Sequence, residues 1–346
     1  MKTASAVTLA KPTLGVVVVT LNEGRRIARC LESAFRAAEP LPDTRVVVVD
    51  SGSIDDTVQI AQRYPATVCR YRGPVRSPAA GRRIGSQQVD SQYVMFLDGD
   101  CTLHSEWLRE ALRLLKACPD VAVVYGGRED VIENSSEASS GSSSAKRASG
   151  LGGNALYRRD ALQTVGGFNP FISGNEEAEL LGRIRAAGYR AVAMASIMVT
   201  HYHTARKDTP IESLRRWRQG YAHGVGQVLR LGLEQGLFRY HLRNWKQFPL
   251  VLGFLIAGAA AVAVAGFFRN PTFALAWLVV ALVAFALLAV RRASLREASR
   301  IVADWVVVAI SLLPGFLRRP KRPSSFAPEI EILNAGADRQ KASISA

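Results

Sequence analysis

The stretch QYVMFLDGDC (92–101) ends an apolar run on two carboxylates, Asp98 and Asp100, with Gly99 between them. Two acidic side chains separated by one residue can point to the same side of a turn, and a glycine lets the backbone bend close to a ligand. Mg²⁺ and Mn²⁺ prefer carboxylate oxygens and bind substrate phosphates at the same time. The pattern therefore predicts a divalent cation site, although an acid-Gly-acid sequence taken alone is also a common turn.

The segments that must position this pair alternate between apolar runs typical of buried strands and patterns typical of amphipathic helices. The sequence predicts strands at 14–20, 45–49, 66–71, 93–97 and 121–125, and helices at 22–37, 57–63, 78–89 and 105–117, with Asn22 and Asp55 as helix caps. Strands that alternate with helices predict βαβ units and a mostly parallel sheet. Ligands gather at the carboxyl ends of such strands, where Thr20, Asp50 and Asp98 stand.

A Ser- and Gly-rich stretch, ENSSEASSGSSSAKRASG (133–150), interrupts this order. Its composition is typical of a surface loop, and a lid that becomes ordered when substrate binds is the alternative interpretation. Regular structure resumes at 152–168. In 175–194 a helix is predicted to stop at Gly188 and to be followed by a strand.

The composition limits the classes of protein that fit. The 346 residues carry a formal net charge of +15, and 48% of them are hydrophobic. The basic residues cluster beside long apolar runs, as in RRPKR (318–322), which favours anionic lipid headgroups over nucleic acid. Four cysteines without metal-site spacing indicate a reduced, intracellular chain, and the N-terminus shows no signal peptide pattern. We therefore expect the catalytic part to lie in the cytoplasm.

Two uncharged runs, 249–268 and 272–290, are each long enough to cross a bilayer. They predict a transmembrane hairpin with both outer ends on the basic, cytoplasmic side. The run 301–317 contains Asp304 and Pro314, which favours an interfacial or re-entrant helix, with a third crossing as the alternative. The expected division of the chain is a catalytic domain at 12–230, an amphipathic linker at 231–248, the hairpin at 249–292, the interfacial or re-entrant helix at 293–322 and a flexible tail at 323–346.

The order of the motifs VTLNE (19–23), VVDSGSIDDT (48–57), AAGRRIGSQQ (79–88), DGD (98–100), GGF (166–168) and NEEAEL (175–180) resembles that of the family 2 glycosyltransferases, of the GT-A fold class. The resemblance covers about 14–226. The C-terminal part is similar to that of membrane-anchored bacterial members that build exopolysaccharide or lipid-linked glycans. The resemblance implies an α/β, GT-A-like nucleotide-sugar-binding domain with a mostly parallel sheet, which the transmembrane hairpin and the interfacial or re-entrant helix predicted above would follow.

The resemblance assigns most candidate residues to donor and cation binding. It implies that the nucleotide sugar is bound by Thr20, Asn22, Glu23, Asp50, Arg82 and Asp98, and that Mg²⁺ or Mn²⁺ is bound by Asp98, Asp100, His201 and His203. The Asp50 carboxylate can accept a hydrogen bond from a uracil N–H or a ribose hydroxyl, or from its own turn. Arg83 stands where the family usually has Asn.

Glu176 and Glu177 match an acidic pair of the family whose second member is the usual catalytic base. Glu177 is therefore the expected base, which would take a proton from an acceptor hydroxyl as that oxygen attacks the anomeric carbon. A single displacement of this kind inverts the anomeric centre. The alternative is that both glutamates only favour the start of a helix.

The resemblance thus implies an inverting, metal-dependent enzyme at the inner membrane. It would move sugar from a nucleotide sugar, with a UDP-sugar as the expected donor, to a hydroxyl of a lipid-linked or growing glycan. A polyprenyl-phosphate sugar transferase and a catalytically silent nucleotide-binding scaffold are the alternatives. A dinucleotide-binding dehydrogenase is disfavoured because TLNEG (20–24) stands where GxGxxG would be needed.

Overall fold

The computed structural model describes residues 13–41, 44–133, 143–146, 152–204 and 210–334. The chain divides into two compact units. The sheet unit consists of Met1–Phe171, Leu180–Ala205 and Arg322–Ala346, and the helical unit consists of Ile172–Glu179 and Arg206–Lys321. Both units are therefore made of segments that are distant in sequence.

A 10-stranded sheet forms the centre of the sheet unit. Its strands are β1 (Leu14–Thr20), β2 (Arg45–Asp50), β3 (Thr67–Tyr71), β4 (Tyr93–Asp98), β5 (Cys101–Leu103), β6 (Val121–Glu133), β7 (Ser143–Lys146), β8 (Ala155–Arg158), β9 (Arg190–Thr204) and β10 (Ile330–Asn334). The order is β10-β3-β2-β1-β4-β8-β6-β9-β5, and β7 pairs with β6. The pairs within β3-β2-β1-β4 are parallel, as expected from the alternating pattern, and β8 joins β4 to β6 by antiparallel pairing.

Two apolar layers cover the sheet, one on each face. The helices of this unit are α1 (Ile27–Ala38), α2 (Thr57–Ala61), α3 (Pro78–Gln88), α4 (Ser105–Ala117) and α5 (Arg159–Thr164), and α6 (Glu176–Ala186) begins in the helical unit and ends in the sheet unit. Val16 and Val18 of β1 pack in the layer that includes α1 and α4, whereas Val17 packs in the layer that includes α3 and Phe168. This alternation buries β1 on both faces, which explains its unbroken apolar sequence.

The helix predicted to start behind Asn22 starts later, at Ile27. Asn22 is not its cap, because this residue has a φ of 58° and its side-chain oxygen accepts a hydrogen bond from the Ile54 N–H at 2.9 Å. The capping prediction was therefore wrong. The Asn22 side chain instead joins the loop after β1 to the loop after β2.

The segment 323–334, expected to be part of a flexible tail, is ordered within the sheet unit. β10 pairs antiparallel with β3, with Ile332 opposite Cys69. Phe326 is buried against the rings of Tyr71 and Phe171, at centroid distances of 5.9 and 6.0 Å. The part of the tail that the structure describes therefore completes an edge of the sheet.

The helical unit contains the apolar runs of the sequence. Its helices are α7 (Pro210–Arg218), α8 (Gly224–Glu234), α9 (Phe238–Asn244), α10 (Gln247–Phe268), α11 (Thr272–Arg292) and α12 (Leu295–Leu317). Three of them, α10, α11 and α12, are long and apolar enough to cross a membrane. α10 and α11 are in contact through Trp277, whose ring stacks on Phe254 and donates a hydrogen bond to its carbonyl oxygen at 3.1 Å.

Candidate active site

Asp98 ends β4, in the middle of the sheet, and its carboxylate has two partners on other elements. Arg82 of α3, only 3% exposed, donates to one oxygen at 3.0 Å, and the side-chain amide of Asn154 donates to the other at 3.2 Å. Asn154 also accepts the Asp98 N–H at 2.8 Å. These bonds fix the orientation of the carboxylate at the carboxyl end of the strand.

Gly153 packs directly on this ion pair. A Cβ atom at position 153 would lie 2.1 Å from a guanidinium nitrogen of Arg82 and 2.6 Å from a carboxylate oxygen of Asp98. Both distances are below any ordinary contact, so any side chain here would displace one of the two charged groups. The neighbouring Gly152 would meet nothing within 4 Å.

Asp100, in the turn before β5, His201 of β9 and Asp130 of β6 form a hydrogen-bonded chain. β9 pairs with β5 on one side and β6 on the other, and Asp130 lies directly opposite His201. One imidazole nitrogen of His201 lies 3.0 Å from Asp100 and the other lies 2.9 Å from Asp130. Arg128 makes an ion pair with Asp130 at 3.0 Å.

These contacts shift the pKa values of Asp100 and His201. Burial acts to raise the pKa of the Asp100 carboxyl, but the hydrogen bond and charge of His201 outweigh it and lower that pKa. Burial acts to lower the pKa of His201, and the interactions with Asp100 and Asp130 outweigh it and raise that pKa. Both shifts favour the charged form of the side chain concerned, so the Asp100 carboxyl is held in its ionised form.

Asp130, His201 and His203 could hold a metal ion, because one ligand atom from each lies within 4.8 Å of the others. The two imidazole rings are stacked, with their centroids 5.1 Å apart. Carboxylate oxygens suit both Mg²⁺ and Mn²⁺, whereas imidazole nitrogens suit a transition metal. The residues therefore fit a divalent cation.

Glu23 adds a further acidic group near this centre. Its pKa is raised, first by burial and also by the negative charges of Asp100 and Asp55, despite a hydrogen bond from Arg26. Mutual repulsion among these carboxylates would be relieved by a bound cation. The electrostatics of the site are thus consistent with cation binding.

The other residues assigned to nucleotide binding lie at the ends of β1 and β2. The fully buried Asp50 carboxylate accepts the N–H groups of Gly52 and Ser53, each at 3.0 Å, so the contacts that the structure shows are those of the turn. The Thr20 hydroxyl is buried and has no hydrogen-bond partner among the described residues. Asn22 donates its N–H to Ser53 at 2.8 Å, which ties the two strand ends together.

The GGF turn is held by two arginines. Gly166 and Gly167 both have positive φ, of 78° and 68°, which glycine adopts without strain. Arg83 donates to the carbonyl oxygens of Gly166 and Phe168, and Arg183 donates to those of Gly167 and Val165. Arg83, which departs from the family pattern, therefore serves this turn in the structure.

Glu176 and Glu177 occupy the first turn of α6, after Asn175 with its φ of 62°. Glu176 is 6% exposed and Glu177 is partly exposed. They belong to the helical unit, whereas Asp98 and Asp100 belong to the sheet unit. The roles of both glutamates therefore stay predictions.

Sequence reasoning missed Asp130, Gly153 and Asn154. Asp130 lies inside the long strand β6, in a stretch that alternates without any motif, and its place beside His201 depends on a pairing distant in sequence. Gly153 and Asn154 stand in GGNALYR (152–158), where a glycine pair and an amide directly before an apolar run were the available indications.

Comparison with known proteins agrees with this geometry. The family model for Glycosyl transferase family 2 matches residues 15–166, and that for Glycosyl transferase family group 2 matches residues 93–290, more than half of the chain. Glycosyltransferase AglE of Haloferax volcanii is 27% identical over 205 residues, which are 55% of this chain and 67% of AglE. Succinoglycan biosynthesis protein ExoA of Rhizobium meliloti is 28% identical over 210 residues, and the match spans 55% of this chain and 63% of ExoA, less than two thirds of that protein.

A solved structure confirms the expected GT-A-like fold. It is a mannosyltransferase from Pyrobaculum calidifontis in complex with GDP-Man and Mn²⁺, with a TM-score of 0.61, 20% identity and coverage of 88% of both chains. At this identity the likeness concerns the fold. The family models identify the chain as a member of the family 2 glycosyl transferases, enzymes that transfer a sugar from a nucleotide sugar.

Proposed function

We propose that this enzyme is an inverting, metal-dependent glycosyltransferase of the inner membrane, with its catalytic unit facing the cytoplasm. The acceptor is a hydroxyl of a lipid-linked or growing glycan. The observation that carries the proposal is the chain of Asp100, His201 and Asp130, which joins the DGD turn to a histidine pair. The name of the relative ExoA, a succinoglycan biosynthesis protein, supports a glycan as the acceptor.

Asp100, Asp130, His201 and His203 would hold the cation, and Mn²⁺ in the mannosyltransferase of the same fold supports this assignment. When bound, the cation supplies charge neutralisation for the diphosphate of the leaving nucleotide. Asp98 is already paired with Arg82 and Asn154. We therefore assign it to binding the nucleotide sugar beside the cation, and not to the cation ligands.

Donor binding falls to the loops after β1 and β2. The buried Thr20 hydroxyl and the loop joined by Asn22 and Ser53 face the carboxyl end of the sheet, where ligands of such folds bind. Asp50 keeps the turn in shape through the N–H groups of Gly52 and Ser53. The N–H and hydroxyl groups of this edge would bind the base and ribose, with a UDP-sugar as the expected donor.

Glu177 is the proposed base. Its carboxylate takes the proton of the acceptor hydroxyl while the acceptor oxygen bonds to the anomeric carbon. The bond from that carbon to the diphosphate breaks, and the electron pair leaves with the nucleoside diphosphate. Positioning and proton transfer of this kind typically contribute about 10²–10⁴-fold in rate.

The test is a screen of nucleotide sugars with Mg²⁺ or Mn²⁺, in which release of nucleoside diphosphate from membrane preparations is followed. Asp100→Asn should abolish release, and Glu177→Gln should retain donor binding while transfer falls by about a hundredfold or more. No release by the parent protein with any donor or metal would indicate the silent scaffold, and full release by Asp100→Asn would remove Asp100 from the cation site. Unchanged transfer by Glu177→Gln onto a polyprenyl phosphate would indicate the polyprenyl-phosphate transferase, because a phosphate acceptor is already ionised.

A further inference from the structure

The path of the chain limits how often it can cross a membrane. The chain leaves the sheet unit after Ala205 and re-enters it at Arg322. β9, before this excursion, and β10, after it, belong to one sheet. Open sheets and irregular backbone are not tolerated in lipid, so both ends of the excursion lie on one side of the membrane. The number of crossings must therefore be even, although three helices are long and apolar enough to cross.

The link between α12 and β10 offers no additional crossing. It runs through RRPKR (318–322) and contains only a short helical turn, at Pro323–Ser325. Charged, non-helical backbone would leave its polar groups without partners in the bilayer. If two of the three apolar helices cross, the third must therefore stay on the side of the membrane where the sheet unit lies.

The packing of α12 identifies it as that helix. Its start follows the end of α11 after only two residues. Its C-terminal half packs on α8 and on the start of α10, in a cluster that contains Val225, Leu229, Phe248, Leu252, Val308, Leu312 and Phe316. The helix therefore runs from the end of α11 to the beginning of α10, two points that lie on the same side when α10 and α11 both cross.

Contacts between backbones make this packing close. A Cβ atom at Gly226 of α8 would lie 2.3 Å from the Leu312 carbonyl oxygen, and one at Gly315 would lie 2.3 Å from the His223 carbonyl oxygen. Just beyond α12, Arg319 forms an ion pair with Glu234 at 2.9 Å. The C-terminal end of α12 is thus anchored to α8, a helix that precedes α10.

The side chains of α12 are divided into three faces, as expected at an interface. At about 100° per residue, the exposed Leu295, Ile310, Leu313 and Leu317 fall within a sector of about 60°. In the N-terminal half, the charged residues Arg296, Glu297, Arg300 and Asp304 occupy a neighbouring sector, which holds the buried Ser311 and Gly315 in the C-terminal half. The buried Ala298, Ile301, Ala309 and Leu312 occupy a third sector. By contrast, α10 has no charged residue and exposes apolar side chains almost all round.

We propose that α10 and α11 form a transmembrane hairpin, and that α12 lies along the cytoplasmic membrane surface with its exposed leucine and isoleucine stripe in the lipid. In this arrangement Arg300 and Asp304 stay at the water interface, which avoids the cost of a charge inside the bilayer. Arg291, Arg292 and the RRPKR segment all lie on the same side, next to anionic headgroups. This inference does not depend on the proposed reaction.

Cysteine labelling tests the crossings. In a Cys118→Ser chain, whose other cysteines are buried, single cysteines replace Asn270, Ala293 or Ser324, which are exposed residues. A membrane-impermeant maleimide is added to sealed, oriented vesicles, and labelling after detergent solubilisation gives the total. We expect Ala293→Cys and Ser324→Cys to react from one side and Asn270→Cys from the other. Reaction of Ala293→Cys and Ser324→Cys from opposite sides would mean that α12 crosses, and would overturn the proposal.

Depth measurement separates a surface helix from one that enters and leaves the bilayer. Spin labels at Ile310, Leu313 and Leu317 should show one shallow depth by their accessibility to oxygen and to a water-soluble nickel complex. A helix along the membrane normal would instead change depth by roughly 10 Å between 310 and 317. Labels at Phe273, Val279 and Leu287 of α11 provide the control, because they should report increasing and then decreasing depth. A graded depth along α12 would contradict the proposal.

Discussion

At the scale of single residues, the candidate active site contains carboxylates that are held in place by charged and polar side chains. Asp98 is oriented by Arg82 and Asn154, and Asp100 by His201. Such contacts restrict the rotation of the carboxylates at the end of the sheet. The consequences of removing one partner can therefore be predicted separately for the ion pair and for the cation site.

Gly153→Ala should reduce transfer at least tenfold without loss of folding. The added methyl group would collide with Arg82 and Asp98, so one of the two must move from its observed position. Transfer and thermal unfolding are to be measured together. Gly152→Ala is the matched control, because its methyl group meets nothing within 4 Å and should leave activity unchanged. Equal effects of the two substitutions would show that the contact with the ion pair has no importance for catalysis.

Asp130→Asn should weaken Mn²⁺ binding by about 10- to 100-fold, the range typical for loss of a group that holds a metal-binding histidine. The neutral amide can no longer hold the His201 ring as the carboxylate does, and it is a poorer metal ligand than the carboxylate. Electron paramagnetic resonance of free Mn²⁺ measures the affinity without requiring turnover. Asp120→Asn makes the same chemical change in an exposed ion pair with Arg190 and should have no effect. Identical affinities for the two variants would remove Asp130 from the site.

At the scale of elements, α9 contains an unusual group. His241 is fully buried beside Trp245, and neither of its ring nitrogens has a hydrogen-bond partner among the described residues. Burial lowers its pKa to about 4, although the charge of Glu179 opposes this shift. The imidazole is therefore neutral in the folded helical unit at neutral pH.

This burial makes the helical unit sensitive to acid. The pKa of His241 is about 4 when folded, against about 6.5 when unfolded, so below pH 6.5 the unfolded state binds the proton first. The contribution to stability is complete above pH 6.5 and is lost as the pH falls towards 4, by about 2 kcal/mol between pH 7.5 and 5.0. Thermal unfolding in detergent at these two pH values measures the loss.

The matched variant for this prediction is His241→Phe, which keeps a ring beside Trp245 and removes the titrating group. Its unfolding temperature should fall less than that of the parent between pH 7.5 and 5.0. An equal fall in both proteins would assign the acid sensitivity to other groups.

The elements also show what sequence patterns can and cannot predict. β1, β2 and β4 were predictable because burial on both faces requires an unbroken apolar run. The DGD turn and the histidine pair were visible as motifs, but the role of Asp130 depends on the register between β6 and β9. Likewise, EILN (331–334) carries no strong strand pattern of its own, and its pairing with β3 is decided by a partner far away in sequence. Asn22 was misread because its side chain bonds to a neighbouring loop rather than to a helix end.

At the scale of the whole molecule, the sheet unit is completed by residues that follow the three apolar helices. Phe326 inserts between Tyr71 and Phe171, and β10 covers the edge of β3. Phe326→Ala should lower the stability of the sheet unit by about 3 kcal/mol, at the low end for loss of a buried aromatic ring. Denaturant unfolding of the full chain in detergent measures this loss, with hydrogen exchange of the β3 amides as the readout for the sheet unit.

Glu331→Ala is the control on the same strand segment. Its ion pair with Arg70 is exposed and 3.8 Å long, so its removal should cost less than about 1 kcal/mol. If Phe326→Ala were as mild as this control, the contact of the C-terminal segment with the sheet would have little influence on stability.

The pairing of β10 with β3 also determines the order of events during synthesis. When β3 leaves the ribosome its outer edge has no partner, and that partner is translated only after α10, α11 and α12. An open strand edge can pair with other chains. The three apolar helices are therefore synthesised before the sheet can be completed, and polypeptides that end before β10 would expose the unpaired edge of β3 and be prone to aggregation and proteolysis.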